Sequence, residues 1–255
     1  MQNKPPYALA SVDNALRLIE LLRDTGRLRV SDAARELGIG QSTAHRLFSM
    51  LVFRGFAVQD DEHRYLPGVN LGLANELGDY AKIIELVATP VMMRLRMETL
   101  ETVNLVVNMG TEVRFVATVE SPQLVRVGDR RGATIPTHKS SGGKAILANL
   151  HIDEIRDLFG VGTSHPTLNS TEWVALMADL RLVRRRGYAI NEEQTERGVS
   201  AIGVALSDEF RKPIAGLSVA APTSRFSRKK ANMWYSQLTD ARQEIEERIS
   251  SHVAR

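Results

Sequence analysis

The feature that most constrains the fold is a pair of short predicted helices joined by a very tight turn. The first helix spans residues 31–37, and Gly38 after it suits the left-handed backbone that commonly ends a helix. Only three or four residues separate it from the second helix, which is predicted over 42–54. A turn this short holds two helices at a defined angle, which is typical of a helix-turn-helix.

A predicted β-hairpin follows this pair, and an amphipathic helix over 11–25 precedes it. The hairpin consists of two short β-like runs on either side of the polar turn 60–63. Helix, helix, tight turn, helix and hairpin is the order of a winged helix-turn-helix. On the helix 11–25, Val12, Leu16 and Leu22 fall on the apolar face that we expect to be buried.

The second helix of the pair has one apolar face and one face of hydrogen-bonding side chains. Because the major groove of B-DNA accommodates an α-helix, we expect the polar face to contact base edges, mainly from its N-terminal part. In the hairpin, two residues are expected to contact the DNA backbone or the minor groove. The predicted DNA-binding residues are Gln41, Ser42, Thr43, His45, Arg46, Arg64 and Tyr65.

The composition excludes several classes of protein. It does not by itself indicate DNA binding, which we infer from the helix-turn-helix pattern alone. The 255 residues suffice for two domains, and the net charge of +3 is too small to indicate nucleic-acid binding by itself. Cysteine is absent, which excludes disulfides, thiolate metal sites and cysteine nucleophiles. We expect no metal and no other cofactor. Without a signal peptide or a long apolar run, we expect a soluble cytoplasmic protein with no membrane partner.

The rest of the chain alternates helices with strands that are predicted to pair largely antiparallel. This pattern indicates a mixed α/β or α+β domain, and therefore a two-domain protein. Pro90 is expected to divide a helical stretch into an interdomain helix and the first helix of the next domain, since proline disrupts helix interiors. Another strand is predicted at 124–128.

A glycine-rich segment, Ser140 to Lys144, precedes a predicted helix. Adjacent glycines allow close backbone approach, and amides at a helix start suit a carboxylate, so the residues predict an anion site. A glycine-rich turn without a ligand is the alternative. Ser141 and Lys144 also match the S-x-x-K pattern of serine β-lactamases. The other motifs of those enzymes do not follow, so we expect no enzyme activity.

Several motifs, in the right order, resemble the IclR family of transcription regulators. They are ASVDNALRLIELL, VSDAARELGIGQSTAHRLFSMLVFRGFAVQD, RYLPGVNLGLANEL, PTHKSSGGKAILANL, RRRGYAINEEQTERGVSAIGVAL and PIAGLSVAAP. The resemblance implies a winged helix-turn-helix domain at 8–68, a linker helix at 69–89 and a GAF-like effector-binding domain at 90–255. It also implies a homodimer or tetramer that binds a double-stranded DNA operator. In this interpretation, a small organic acid modulates operator affinity, and the protein is a repressor of a catabolic operon.

The resemblance also implies an effector site in the second domain. The matching positions are Ser141, Gly142, Gly143, Asn191, Ala201, Ser218 and Ala220. Family members often carry an acidic residue in place of Asn191, a cysteine or other polar group in place of Ala201, and a serine in place of Ala220. These departures predict a less polar and roomier pocket. We therefore expect an organic acid with a sizeable apolar part, such as an aromatic ring, whose carboxylate meets the amides of 141–143.

Two alternatives from other functional classes remain. The second half of the chain would be a hydrolase or transferase that carries an accessory DNA-binding domain, or a ligand-free dimerisation module. The regulator hypothesis predicts that an Arg46→Ala variant loses operator binding but keeps ligand binding. It also predicts that a Ser141→Ala variant alters the effector response and that no turnover is involved.

Overall fold

A computed structural model of the chain describes residues 7, 9–60, 62–68, 71, 76–163 and 166–253, without the side chains of 76–80 and 253. The chain divides into two compact units, with the boundary between Asp79 and Tyr80. Several positions that the sequence analysis assigned to the winged domain or the linker lie outside the described residues, namely Ala8, Asp61, 69, 70 and 72–75. No helix in the described ranges combines the length and hydropathy that crossing a membrane requires.

The first unit contains the predicted helices and hairpin in the predicted order. Its elements are α1 (Ala10–Thr25), α2 (Val30–Leu37), α3 (Gln41–Phe53), β1 (Ala57–Gln59) and β2 (Tyr65–Pro67). The two strands pair antiparallel. Gly38 ends α2 in the left-handed region, at φ 67°, and its amide donates to the Ala34 carbonyl. The helix-turn-helix with a following hairpin is therefore confirmed.

The core of the first unit is centred on Phe48 of α3, which is fully buried. Its ring stacks on Tyr65 of β2 with 3.9 Å between centroids, and Leu18 of α1 packs in the same cluster. The predicted buried face of α1 is confirmed at Leu22, which is fully buried, but wrong at Val12 and Leu16, which are 50% and 57% exposed. This helix carries apolar residues on more than one side, and periodicity alone does not show which side faces the core.

A single helix, α4 (Glu76–Thr99), crosses the boundary between the units and contains Pro90 in its interior. The predicted division at Pro90 is therefore wrong. An internal proline costs about 3 kcal/mol. Val91, Met92 and Leu95 just after it are buried in the core of the second unit, and each such side chain contributes about 1.5–3 kcal/mol. Burial of these three residues outweighs the missing hydrogen bond.

The second unit is built on one six-stranded antiparallel sheet with strand order β5-β4-β3-β8-β7-β6. The strands are β3 (Thr102–Met109), β4 (Glu112–Val119), β5 (Thr134–Pro136), β6 (Ala189–Glu192), β7 (Val199–Ser207) and β8 (Pro213–Pro222). The predicted α+β domain is confirmed. The predicted strand at 124–128 is wrong, because those residues are irregular. The carbonyls of Val125 and Val127 accept from the side chains of Arg225 and Thr102 instead of from a strand.

Helices cover both faces of this sheet. They are α4, α5 (Ser141–Ala148), α6 (Ile152–Leu158), α7 (Ser170–Arg186) and α8 (Arg228–Val253). One face packs its alternate apolar residues against α4 and α8, around Trp234. The opposite face packs against α5 and, beside it, the irregular segment 120–133. Because successive strand residues point to opposite faces, Leu105 faces the first layer and Asn104 the second.

Candidate DNA-binding surface and effector cavity

Helix α3 buries one face and exposes the other, as its polar pattern predicted. Ala44, Phe48 and Leu51 are buried. The predicted DNA-binding residues of this helix are all exposed, namely Gln41, Ser42, Thr43, His45 and Arg46. Arg46 forms no ion pair with any other residue that the structure describes. Its guanidinium is therefore free to bind a guanine edge or a phosphate.

The first turn of α3 leaves backbone donors for a ligand. Its N-cap is Gly40, which has no side chain to bond the first amides. The first intrahelical bond runs from the Ala44 amide to the Gly40 carbonyl, at 3.0 Å. The preceding amides therefore lack a helical partner. Unbonded amides and the helix dipole together favour phosphate oxygens at this exposed end.

Of the two hairpin side chains that were predicted to contact DNA, the structure leaves only one accessible. Tyr65 is only 3% exposed and stacks on Phe48, so the structure excludes it from the DNA-contacting surface. Arg64 is partly exposed, but its guanidinium contacts the carboxylate of Glu62. The Asp60 carboxylate accepts from the Arg64 amide at 2.8 Å. The charge of Arg64 is thus partly neutralised within the wing turn.

The second unit contains a small cavity on the sheet face that carries Asn104. Its volume is about 30 Å³. Most of the predicted effector residues line it, namely Ser141, Asn191, Ala201, Ser218 and Ala220. The strand register brings them together, because Ala201 of β7 pairs with Asn191 on one side and with Ala220 on the other. We define this space as the central cavity.

Gly142 and Gly143, the two remaining predicted effector residues, do not line the central cavity. The Gly143 amide already donates to Ser140 Oγ at 3.2 Å. A Cβ on Gly143 would lie 2.4 Å from the Thr137 carbonyl, and one on Gly142 would lie 2.8 Å from Val106 Cγ2. The glycines therefore allow close packing of α5 against its surroundings. The expectation that these amides form an open anion site is corrected accordingly.

Sequence reasoning missed several polar residues of the central cavity, among them Asn104, Arg130 and Thr195. Asn104 is 2% exposed, and its Oδ1 accepts from Thr118 Oγ1 at 2.9 Å. An asparagine inside the apolar strand TVNLVVNM was a usable signal, because a buried amide needs partners. Arg130 lies in an irregular segment, whose position no periodicity predicts.

Two irregular segments, 120–133 and 193–198, meet over the central cavity. Arg130 of the first segment contacts the Glu196 carboxylate of the second. The Arg130 guanidinium also lies 6.0 Å from the centroid of the Phe115 ring. Among the described residues that line the cavity, Arg130 is the only cation.

Behind the cavity, the ammonium group of Lys144 is held by three acceptors. Nζ lies 2.6 Å from Asp179 Oδ2, 2.5 Å from the Ile190 carbonyl and 2.7 Å from Gln194 Oε1. An ammonium group has three donors, and all are used here. Burial lowers the pKa of Lys144, and the bond to Asp179 opposes that shift. With its donors committed, Lys144 is not placed to activate Ser141, and the S-x-x-K interpretation fails.

The segment after β6 connects Lys144 to the cavity wall. The Gln194 amide donates to Asn191 Oδ1 at 2.8 Å, and Asn191 Nδ2 donates to Thr195 Oγ1 at 2.8 Å. Asn191 therefore organises this segment as well as lining the cavity.

Two family models match the chain, and together they cover most of it. The IclR helix-turn-helix domain matches residues 11–61, and the bacterial transcriptional regulator IclR C-terminal domain matches residues 80–247. The chain belongs to the IclR family. Members of this family are transcription regulators and not enzymes, so the interpretation as a hydrolase or transferase is not favoured.

Similar proteins extend over nearly the whole chain. The transcriptional repressor IclR of Escherichia coli K12 is 27% identical over 243 residues, which covers 92% of this chain and 88% of that protein. The transcriptional repressor AllR of the same strain is 28% identical over 223 residues, which covers 85% and 82%. The IclR structure from Thermotoga maritima has a TM-score of 0.60 at 24% identity and covers 94% and 98%. An IclR homologue from Microbacterium hydrocarbonoxydans, complexed with 4-hydroxybenzoate, has a TM-score of 0.58 at 24% identity and covers 95% and 98%.

Proposed function

We propose that this IclR-family regulator binds its operator through the exposed face of α3 and that a small organic acid in the central cavity controls this binding. The observation that carries the proposal is the exposed polar face of α3 with its unbonded first amides. In this proposal, Arg46 and Gln41 contact bases, and Ser42, Thr43 and the first amides contact phosphates. His45 extends this surface, and Arg64 of the wing lies at the DNA backbone.

The lining of the central cavity supports an acid with an apolar body. Arg130 is positioned to bind a carboxylate, with Ser141 and Ser218 as neutral partners. Ala201 and Ala220 provide a small apolar surface beside Phe115. One structural relative contains 4-hydroxybenzoate, which is an acid of this class.

Entry of such an acid requires the two segments over the cavity to separate. A volume of about 30 Å³ is far below the range of about 300–1,000 Å³ that is usual for small-molecule sites, so an aromatic acid does not fit without movement. The Arg130–Glu196 contact joins the two segments. We infer that the carboxylate of the effector replaces Glu196 as the partner of Arg130.

We further propose that the protein acts in the cytoplasm as a homodimer or tetramer that represses a catabolic operon. The related proteins IclR and AllR are named as repressors. A dimer would present two copies of α3 to half-sites about one helical turn apart, roughly 10 bp or a multiple of it.

Sequencing of genomic DNA recovered with the protein tests operator binding and identifies the site. With that site as a probe, an Arg46→Ala variant should lose about fivefold to 150-fold in affinity, since a good base contact is worth about 1–3 kcal/mol. Arg23→Ala removes the same charge from α1, where Arg23 pairs with Asp24, and should bind like the wild type. Footprinting that finds no preferred duplex, or an Arg46→Ala variant that binds normally, would contradict the proposal.

A thermal-shift screen of carboxylic acids tests the effector site. A ligand at about 100 times its dissociation constant should add about 2.7 kcal/mol of stability. Arg130→Gln should reduce this shift for 4-hydroxybenzoate or benzoate, whereas Arg131→Gln, at an exposed neighbour, should retain it in full. Ser141→Ala should change the operator response with no turnover by either protein. Stabilisation by small dicarboxylates alone would count against an apolar effector.

A further inference from the structure

A much larger concave site lies on the second unit, between one face of α7, the edge strand β6 and the first residue of α8. Its volume is about 630 Å³, against about 30 Å³ for the central cavity. Ala175, Ala178 and Leu182 of α7 contribute apolar surface to it. We define this space as the α7 groove. Its volume lies within the range of about 300–1,000 Å³ that is usual for small-molecule sites.

Besides the exposed Lys139, the α7 groove has one cation without an ion pair among the described residues, namely Arg186. It is partly buried; its Nε donates to the Tyr188 carbonyl at 2.6 Å, and its guanidinium lies 4.7 Å from the Tyr188 ring centroid. No carboxylate among the residues that the structure describes forms an ion pair with it. Burial lowers the pKa of Arg186. A partly desolvated guanidinium with free terminal nitrogens favours an anionic partner.

Each of the three carboxylates that line the groove has a partner other than Arg186. Asp179 is paired at 2.6 Å with Lys144, which is 1% exposed. Glu172 accepts from the Asn169 amide at 3.0 Å as part of the N-terminal cap of α7. Glu192 lies 3.8 Å from Arg228. None of the three forms a direct ion pair with Arg186, although Asp179 and Glu192 lie close enough to raise its pKa against the effect of burial.

The edge strand itself is blocked against a peptide partner. The carbonyls of Tyr188 and Ile190 are two residues apart, so they point to the same side of the strand. Both already accept from cationic side chains, namely Arg186 and Lys144. An added strand would need these carbonyls free, which favours a small molecule over a peptide as the occupant.

We propose that the α7 groove is a second ligand site, which binds a small organic anion with an apolar body through Arg186. A carboxylate and a phosphate ester share the required chemistry, because both accept a bidentate bond from a guanidinium. The site is separate from the central cavity, but Gln194 lines the groove and its amide bonds to Asn191 in the cavity wall. Occupancy of the groove therefore acts on the segment that closes the central cavity.

The test uses 4-bromobenzoate and 4-bromophenyl phosphate as probes on the full chain, with inorganic phosphate for comparison. Calorimetry on the wild type should show binding that Arg186→Gln weakens by about tenfold or more, which is the usual effect of losing a charge-assisted bond. Arg185→Gln is the matched control, since Arg185 is exposed one residue away, and it should bind like the wild type. Because the central cavity is proposed to take such acids as well, Arg130→Gln should remove only the binding that belongs to that cavity and leave the Arg186-dependent binding intact. Inorganic phosphate should bind more weakly because it makes no apolar contact.

Anomalous scattering from bromine in a soaked crystal locates the probe directly, and we expect it beside Arg186. Arg186→Lys retains the positive charge but cannot form the bidentate guanidinium bond, so it should bind with intermediate affinity. This variant keeps the test decisive if Arg186→Gln folds poorly. Absence of binding to the wild type at about 10 mM probe, equal affinities of the Arg186→Gln and Arg185→Gln variants, or bromine in the central cavity alone would overturn the proposal. Operator binding by the same proteins reports separately on the regulator function.

Discussion

Arg64 and Tyr65 are neighbours in the wing, but they occupy opposite environments. Successive side chains of a strand point to opposite faces, so one of the two residues must face the core. Tyr65 does so and stacks on Phe48 of the recognition helix α3. Tyr65 thus helps to hold the proposed DNA-contacting face of α3 in place.

Replacement of Tyr65 tests this structural role. Tyr65→Ala should cost about 3–5 kcal/mol of unfolding free energy, the usual cost of removing a buried aromatic ring, and should abolish operator binding through loss of the first unit's core. Tyr65→Phe keeps the ring and should remain within about 1 kcal/mol of the wild type, with unchanged operator affinity. Urea denaturation and operator titration measure both effects. A Tyr65→Phe protein with normal stability but weakened operator affinity would mean that the hydroxyl contacts DNA.

We expect His138 to make the free energy of unfolding depend on pH. Burial lowers its pKa, and Lys139 and Lys144 act in the same direction. The unfolded chain therefore binds the proton first as the pH falls below about 6.5, the ordinary histidine value. The free energy of unfolding should then decrease from that pH down to the lower pKa of the folded state. His138→Gln should flatten this decrease in urea melts at about pH 7.5, 6.5 and 5.5, and an unchanged slope would show that other groups cause it.

At the scale of elements, the position of α5 depends on glycines from three parts of the chain. A Cβ on Gly203 of β7 would lie 2.8 Å from the Gly142 amide nitrogen, and one on Gly216 of β8 would lie 2.7 Å from the Gly142 carbonyl oxygen. The backbone of α5 therefore rests directly on two strands. This contact places Ser141, the preceding residue, at the wall of the central cavity.

Gly216→Ala should move α5 away from the sheet, because the new methyl group would meet backbone atoms that cannot rotate aside. We expect a loss of about 1–3 kcal/mol, as for other overpacked cores, together with weaker effector binding. Gly128→Ala is the matched control, since a Cβ there meets no atom within 4 Å. Thermal melts and effector titrations compare the two variants. Equal melting temperatures and equal effector affinities of the two variants would show that α5 can shift without a loss of stability or binding.

Most of the helices and strands were predictable from the sequence, and the exceptions have identifiable causes. The helix pair, the hairpin and the antiparallel domain follow from periodicity and turn residues, which are local signals. Pro90 was misjudged because burial of its neighbours in the sheet core overrides a local preference. The segment 124–128 has a β-like composition, but side chains from distant residues take its carbonyls.

At the scale of the whole molecule, the net charge does not explain DNA binding. The explanation must come from the local arrangement of individual groups. The net charge is only +3, so the attraction to a polyanion arises where individual groups meet phosphates. A protein that neutralises about 6–10 phosphates loses roughly 10³–10⁵ in affinity between 50 and 200 mM salt. Operator affinity should show such a salt dependence in spite of the small net charge.

The salt dependence also assigns the role of Arg46. If Arg46 contacts a guanine, Arg46→Ala should lower affinity about equally at all salt concentrations and relax specificity at one base pair. If it contacts a phosphate, the slope of log affinity against log salt should decrease by about one. We expect the first outcome, because Arg46 lies on the exposed face of α3, which is the face proposed to enter the major groove of DNA. Operator titrations at several salt concentrations, with Arg23→Ala as control, distinguish the two.

The amino-acid sequence by itself determined the order of elements, the exposed polar face of α3 and most positions of the central cavity, because these depend on residues close together in the chain or on a family pattern. Only the tertiary structure showed that Tyr65 belongs to the core, that Gly142 and Gly143 pack closely against their surroundings, and that Arg130 lines the central cavity and Arg186 the α7 groove. The physical reason is that burial, ion pairing and close backbone contact depend on neighbours that are distant in sequence. Their positions are set only when the sheet and its covering helices come together.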